Sequence, residues 1–168
     1  MNIPDIRLIP ADQPHHWAIM EALGRQIVPT FYVPYLGADT SEYMMESGHT
    51  AAALAKQAQE GYRHYLLEKG GQAVGYFALH EEQALTLMLT HLYLLPQHRG
   101  RGLGTAAMGF VWEEAAAWPA SAIELYVLRA NGAAVGFYRK HGFVVVEELT
   151  TTLANGGELE DYLMRWER

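Results

Sequence analysis

The stretch Arg99-Gly100-Arg101-Gly102-Leu103-Gly104-Thr105 sets three glycines and two arginines between an apolar run, Leu92-Tyr93-Leu94-Leu95, and a segment of helical periodicity. A strand that enters a helix through such a loop makes an anion site. The first amides of a helix have no partner within it and point outward. The helix dipole adds roughly +0.5 charge at that end. Glycine lets the backbone approach a phosphate with no Cβ in the way, and Arg99 and Arg101 offer charge-assisted hydrogen bonds. A tight turn that needs glycine is the alternative reading of the same residues. Spacing excludes two other phosphate loops. A dinucleotide fingerprint fails because its third glycine position falls on Thr105. A Walker A loop fails because no Gly-Lys-Ser/Thr is present.

Charge supports a small anionic ligand at that loop. The chain carries net −7, which argues against general nucleic-acid binding. Residues 98–141 hold 5 basic and 3 acidic side chains, the one cationic segment in an otherwise acidic chain. Half of the 168 residues are hydrophobic, which suits a single domain over residues 1–168. No apolar run has the length of a membrane helix, and Met1 to Asp5 lack the pattern of a secretion signal. The chain has no cysteine, which excludes disulfides and a thiolate nucleophile. Cytoplasmic location, no membrane and no nucleic-acid partner are the expectations. No metal is expected, since the eight histidines show no ligand pairing such as H-E-x-x-H.

The order of elements is mixed. Ile6 to Ile9 reads as a strand ended by Pro10. Asp12 is placed to cap a first helix through Trp17, Ile19, Met20 and Leu23, which Pro29 interrupts. Phe31 to Gly37 reads as irregular, and a second helical region covers Thr40 to Gln59 with a break near Gly48. Tyr62 to Glu68, Ala73 to His80 and Ala84 to Leu95 read as strands, the first two joined by a turn at Lys69-Gly70-Gly71-Gln72. A helix starts near Leu103 and Pro119 stops it. Ile123 to Leu128 is a strand. Asn131 to His141 is a helix with Asn131 as N-cap and Gly142 at the left-handed C′ position. Phe143 to Leu149 and Leu159 to Trp166 close the chain as strands.

The spacing Arg99-x-x-Gly102-x-Gly104 resembles the Q/R-x-x-G-x-G/A signature of the GNAT superfamily, the Gcn5-related N-acetyltransferases. Leu92-Tyr93-Leu94 is similar to the strand that pairs with the pantetheine arm there. Asn131…Ala134…Phe137-Tyr138-Arg139-Lys140-His141-Gly142-Phe143 resembles the family's N-x-x-A-x-x-F-Y-x-K-x-G-F segment. The resemblance implies an α/β, mixed α+β GNAT fold: a central mixed sheet of about seven strands flanked by about four helices, ordered β-α-α-β-β-β-α-β-α-β-β. It implies acetyl-CoA as co-substrate, transfer of acetyl to a primary amine by direct attack, and allows a homodimer.

The implied reaction fixes what the site needs. A lysine-like amine of pKa ~10.4 is neutral in only about one molecule in a thousand near pH 7.4. A base or a water chain must take its proton. The oxyanion needs a donor, which the family supplies from a backbone amide of its bulged strand, here near Leu94. The leaving thiolate takes a proton from an acid. The resemblance makes Tyr138 that acid, two helical turns beyond Asn131. A core tyrosine and a helix cap are the competing roles of Tyr138 and Asn131. The implied cofactor contacts are Leu92, Tyr93 and Leu94 along the arm, Arg99, Gly100, Arg101, Gly102, Leu103, Gly104 and Thr105 at the phosphates, and Asn131 and Tyr138 on the later helix. The glutamate that many relatives place in the central strand is missing: Met88, Leu89 and Thr90 stand there. His91 is the nearest titratable group, although strict alternation turns it to the other strand face. Glu124 and Tyr126 share a face of the next strand and are comparable base candidates, as are water relays. Phe31, Tyr32 and Tyr35 are candidate substrate residues, and Glu42 or Glu46 a candidate attractor of a cation. Tyr-x-x-Tyr-Leu and Asp161-Tyr162-Leu163-Met164 loosely resemble bacterial polyamine N-acetyltransferases, which favours a polyamine-like amine. A protein N-terminus, an amino acid, an antibiotic, or a module that holds coenzyme A without turnover are the alternatives.

Overall fold

A computed structural model of the chain describes residues 5–168, so the leader reading of Met1 to Pro4 lies outside the described residues. Along the chain run β1 (Ile6–Pro10), α1 (Pro14–Gly48), α2 (Ala51–Gln59), β2 (Arg63–Lys69), β3 (Gln72–Gln83) and β4 (Thr86–Leu94). Then follow α3 (Leu103–Ala116), β5 (Ala122–Leu128), α4 (Gly132–Lys140), β6 (Val144–Thr152) and β7 (Glu158–Glu167). This is the mixed α/β order that the sequence implies. The strands form one sheet, β1-β2-β3-β4-β5-β7-β6, in which β4 and β5 pair parallel and every other neighbour antiparallel.

Period-two alternation divides the apolar residues between two cores. Leu67, Phe77, Leu79, Leu87, Leu89, Ile123, Leu125 and Met164 pack with Leu103, Ala107, Met108 and Val111 of α3. Their neighbours Leu66 and Tyr76 turn the other way, onto Met20, Leu23 and Ile27 of α1 and Leu54 of α2. The sheet is thus covered on both faces.

The helical stretch before β2 differs from the sequence expectation. Pro29 and Pro34 lie inside α1, and the irregularity falls at Gly37, whose φ of 84° and ψ of 171° divide the helix. Ile27 and Val28 are buried and Phe31 stacks on Tyr93 at 4.9 Å, so packing holds helical geometry through prolines that local preference would make breaks. The cap also moves by one residue: Gln13 precedes the helix and its N–H donates to His16 Nδ1 at 3.2 Å, while Asp12 is exposed. The break near Gly48 is present, and Thr50 Oγ1 caps α2 by accepting from Ala53 N–H at 3.1 Å.

Two features of the sheet make room for a site. The β4–β5 ladder spans only Thr86↔Ala122, Leu87↔Ile123 and Met88↔Glu124, and the strands go on without pairing. Nearby, Tyr76↔Tyr93 and Ala78↔Thr90 leave His91 and Leu92 opposite the single residue Phe77, which is a bulge. His91 has φ of 57°, a left-handed conformation uncommon for a residue other than glycine.

Candidate active site

The loop before α3 has the anion geometry. Gly100 and Gly102 hold φ of 75° and 77°, and a Cβ added at either would enter open space. Gly102 is the N-cap, so the N–H groups of Leu103, Gly104 and Thr105 begin the helix without intrahelical partners. Ala106 N–H is the first to bond back, to Gly102 O at 3.1 Å. Leu103 is buried and anchors the turn, whereas Gly102 and Thr105 are exposed. A pyrophosphate fits this cradle, because the positions that a side chain would fill are empty and the donors are main-chain amides.

The two arginines take different directions. Arg99 turns toward α1: its Nε donates to Leu94 O at 3.1 Å, its Nη2 to Thr30 Oγ1 at 3.0 Å, and its guanidinium lies 4.5 Å over the Phe31 ring. Its side chain therefore braces the loop against α1 rather than facing the cradle. Arg101 is exposed.

β4 directs a donor into the gap. Leu95 N–H bonds Val74 O at 2.9 Å, so the pair one step back, Leu94 opposite Gly75, is of the non-bonded kind. Leu94 accordingly points its N–H and C=O away from β3, and Arg99 takes the carbonyl. The amide faces the side on which β5 has separated from β4.

Tyr138 of α4 is partly buried, edge-on to Phe137 and Phe143 at 5.2 and 5.7 Å. Burial pushes its hydroxyl well above the ordinary tyrosine range, so it is protonated at neutral pH. It is near enough to Tyr93 of β4 for a charge on Tyr138 to raise Tyr93 further. Asn131 Oδ1 accepts from Ala134 N–H at 3.1 Å, the capping role, and its amide nitrogen is uncommitted in this contact.

The base candidates fare unequally. Glu124 is buried and committed to an ion pair with Arg165 Nη1 at 2.6 Å. Tyr126 is exposed, and partial desolvation followed by nearby carboxylates raises its hydroxyl, which disfavours the phenolate. The bulge reverses the expectation for His91: the extra residue turns it to the face that holds Tyr93 and His49, and its ring lies 4.3 Å edge-on to His49. Phe31 and Tyr32 reach the same place, Phe31 by stacking on Tyr93 and Tyr32 through a 3.4 Å hydroxyl contact with it. Tyr35 is exposed, Glu46 pairs with Arg25 at 3.2 Å on the surface of α1, and Glu42 is exposed.

Two groups escape sequence reasoning. His49 follows α1, buried, with Nδ1 2.9 Å from Tyr76 Oη; nothing in its local sequence distinguishes it. Asp161 of β7 is partly buried, and desolvation, opposed by Arg129, lifts its carboxyl to about 6. Its charge is a minor influence that raises the Tyr32 hydroxyl, and it acts on Tyr126 as well. Among the described residues no three His, Asp or Glu side chains converge to hold a metal, and no helix is long and apolar enough to cross a membrane.

A sequence profile described as the Acetyltransferase (GNAT) family matches residues 27–143, more than half of the chain and all of the loop, the bulge and α4. The chain belongs to that family. This acetyltransferase is an acetyl-CoA-dependent enzyme by class, and its fold recurs in solved relatives. The PaiA N-acetyltransferase of Thermoplasma acidophilum, in complex with coenzyme A, superposes with TM-score 0.79 at 17% identity over 97% of this chain and 99% of that one. A Gcn5-related N-acetyltransferase from Rhodopseudomonas palustris gives 0.80 at 19% over 100% and 99%. A spermidine N-acetyltransferase chimera of Vibrio cholerae and human sequence gives 0.73 at 16% over 97% and 95%. No curated protein matches the acetyltransferase by sequence.

Proposed function

We propose that the protein transfers acetyl from acetyl-CoA to a primary amine of a small, polyamine-like molecule. The observation that carries this is the separation of β4 from β5 beyond Met88 beside the open amides of Leu103 to Thr105. The amides of Gly102 to Thr105 and exposed Arg101 hold the pyrophosphate, and Leu92 to Leu94 flank the pantetheine arm. When bound, acetyl-CoA supplies the activated acyl group. Leu94 N–H donates to the oxygen that becomes negative. Tyr138, protonated at neutral pH, hydrogen-bonds the departing sulfur and passes its proton to it as the C–S bond breaks.

The acceptor reads as cationic. Asp161, partly buried on β7 and ionised above about pH 6, is the anionic group assigned to the distal ammonium. Aromatic walls from Phe31, Tyr32 and Tyr93 suit methylene chains and an ammonium group. A chain with amines at both ends sets one on Asp161 and presents the other at Leu94. The relative active on spermidine supports this class without fixing the compound.

Thiol release from acetyl-CoA across an amine panel tests the reading. Diamines and polyamines are expected to be turned over faster than neutral amino-acid or peptide amines. Tight uptake of coenzyme A with no turnover of any amine would establish a binding module instead, and preference for peptide N-termini would move the acceptor class.

A further inference from the structure

His91 occupies a conformation that costs energy. A non-glycine residue at φ of 57° in a strand bulge carries strain of order 1–3 kcal/mol, which persists only where surrounding structure imposes it. What the strain achieves is an orientation. Without the bulge, alternation would send the imidazole to the α3 side; with it, the ring meets His49 at 4.3 Å and Tyr93 at 6.0 Å. His49 is itself fixed, because Nδ1 lies 2.9 Å from Tyr76 Oη and its own ring stacks near Tyr93 at 5.4 Å. Gly24 of α1 leaves the space that Tyr76 Oη needs, 2.8 Å from where a Cβ would stand. Leu94, whose amide faces the gap, is three residues further along, roughly 10 Å at the rise of a strand and less across a bulge.

We propose that His91 accepts the proton of the incoming ammonium group, with His49 and Tyr76 as positioning residues that hold its ring in place. The proposal rests on the acetyltransferase reading above. The proton balance closes. The ammonium proton passes to His91 Nδ1 or Nε2, directly or through water, and leaves to solvent afterwards. The free amine forms the C–N bond at the acetyl carbon and the C–S bond breaks. Tyr138 gives its proton to the thiolate and regains one from the nitrogen that has just been acylated. One proton is released overall.

The groups around His91 keep it uncharged until it is used. His49 at the end of α1 and Tyr93 of β4 face it, His64 of β2 and His80 of β3 are near enough for their charges to act on it, and Glu82 of β3 pairs with His80. Burial first, and then the neighbouring histidines, hold its pKa well below the usual histidine value. The lone pair is therefore free at neutral pH, and kcat/KM loses activity only on the acid side, well below the usual histidine range.

Glycine and asparagine tolerate a positive φ, so His91→Gly and His91→Asn keep the bulge and the fold. With the amine that the panel selects, each is expected to lower kcat about 30- to 100-fold, to leave coenzyme A affinity within twofold, and to abolish the acid limb of the profile. Added imidazole should restore much of the rate to His91→Gly. His49→Gln should keep most of the rate and the acid limb, since His49 positions the ring and does not take the proton. A rate within threefold of wild type in both His91 variants, or an acid limb that survives in them, would overturn the proton route while the transferase reading stands. Absence of transfer by the unmodified enzyme to every amine would remove both.

Discussion

Gly104 lies against Phe137: a Cβ at position 104 would stand 3.0 Å from Phe137 Cε2. The first turn of α3 and the helix that carries Tyr138 are therefore in contact at a point with no room for a methyl group. Gly104→Val is expected to push α4 away and to cost about 1–3 kcal/mol as overpacking. Thermal unfolding should report the loss, and kcat should fall with it because Tyr138 moves. A variant of unchanged stability and rate would show that the two helices are not coupled in this way.

Gly102 tests the cradle with a different mechanism. Its φ of 77° makes Gly102→Val strained by about 1–2 kcal/mol, yet its Cβ would meet nothing in the protein. The branch would instead occupy the phosphate position. Calorimetry should find coenzyme A bound at least tenfold more weakly by a folded variant; retained affinity counts against the loop.

The two loop arginines should behave as opposites. Arg99→Ala removes two hydrogen bonds and a cation–ring contact, a loss of about 1–2 kcal/mol in stability, read from the denaturant midpoint. Arg101→Ala should leave stability unchanged and weaken coenzyme A a few-fold, more so at low salt. If both act on affinity alone, the brace seen at Arg99 is not maintained in solution.

Tyr138→Phe is expected to lower kcat by about two orders of magnitude at unchanged coenzyme A affinity. Steady-state kinetics and calorimetry together separate the roles. An unaltered rate would assign the ring to packing with Phe137 and Phe143.

Asp161 and two histidines pull stability in opposite directions with pH. Asp161 titrates near 6 in the fold against about 3.9 unfolded, so its neutral form is the stabilising one, fully present below about pH 4 and lost as pH rises through 6. Asp161→Asn should therefore raise the melting temperature at pH 7.5 and change nothing at pH 4. Solvent screening limits the gain to about 1 kcal/mol, or roughly 2–4 °C. The same variant should raise KM for a dicationic amine. His49 and His64, lowered to about 4 by burial, supply stability that is complete above pH 6.5 and lost as pH falls toward 4. Differential scanning across pH 4–8 reads both trends.

Local signals account for much of the fold. Asn131 and Gly142 mark the ends of α4 through capping preferences that act within a few residues, and the structure uses both. The glycine loop and the strand before it are legible for the same reason. Pro29 misleads because a proline signal is local, whereas Phe31 on Tyr93 and Arg99 on Phe31 are contacts across 62 and 68 positions of the chain. His49 is illegible because only tertiary packing sets it beside Tyr76 and His91. Alternation puts His91 itself on the wrong face, since the rule holds only until one extra residue enters the strand, and no residue type in Thr90-His91-Leu92 announces a bulge.

The most direct test is a density map of the acetyltransferase with coenzyme A bound. The account predicts the pyrophosphate within hydrogen-bond distance of the amides from Gly102 to Thr105, and the pantetheine arm between β4 and β5 beside Leu94. Phosphates placed elsewhere, or an arm outside the gap between those strands, would contradict it.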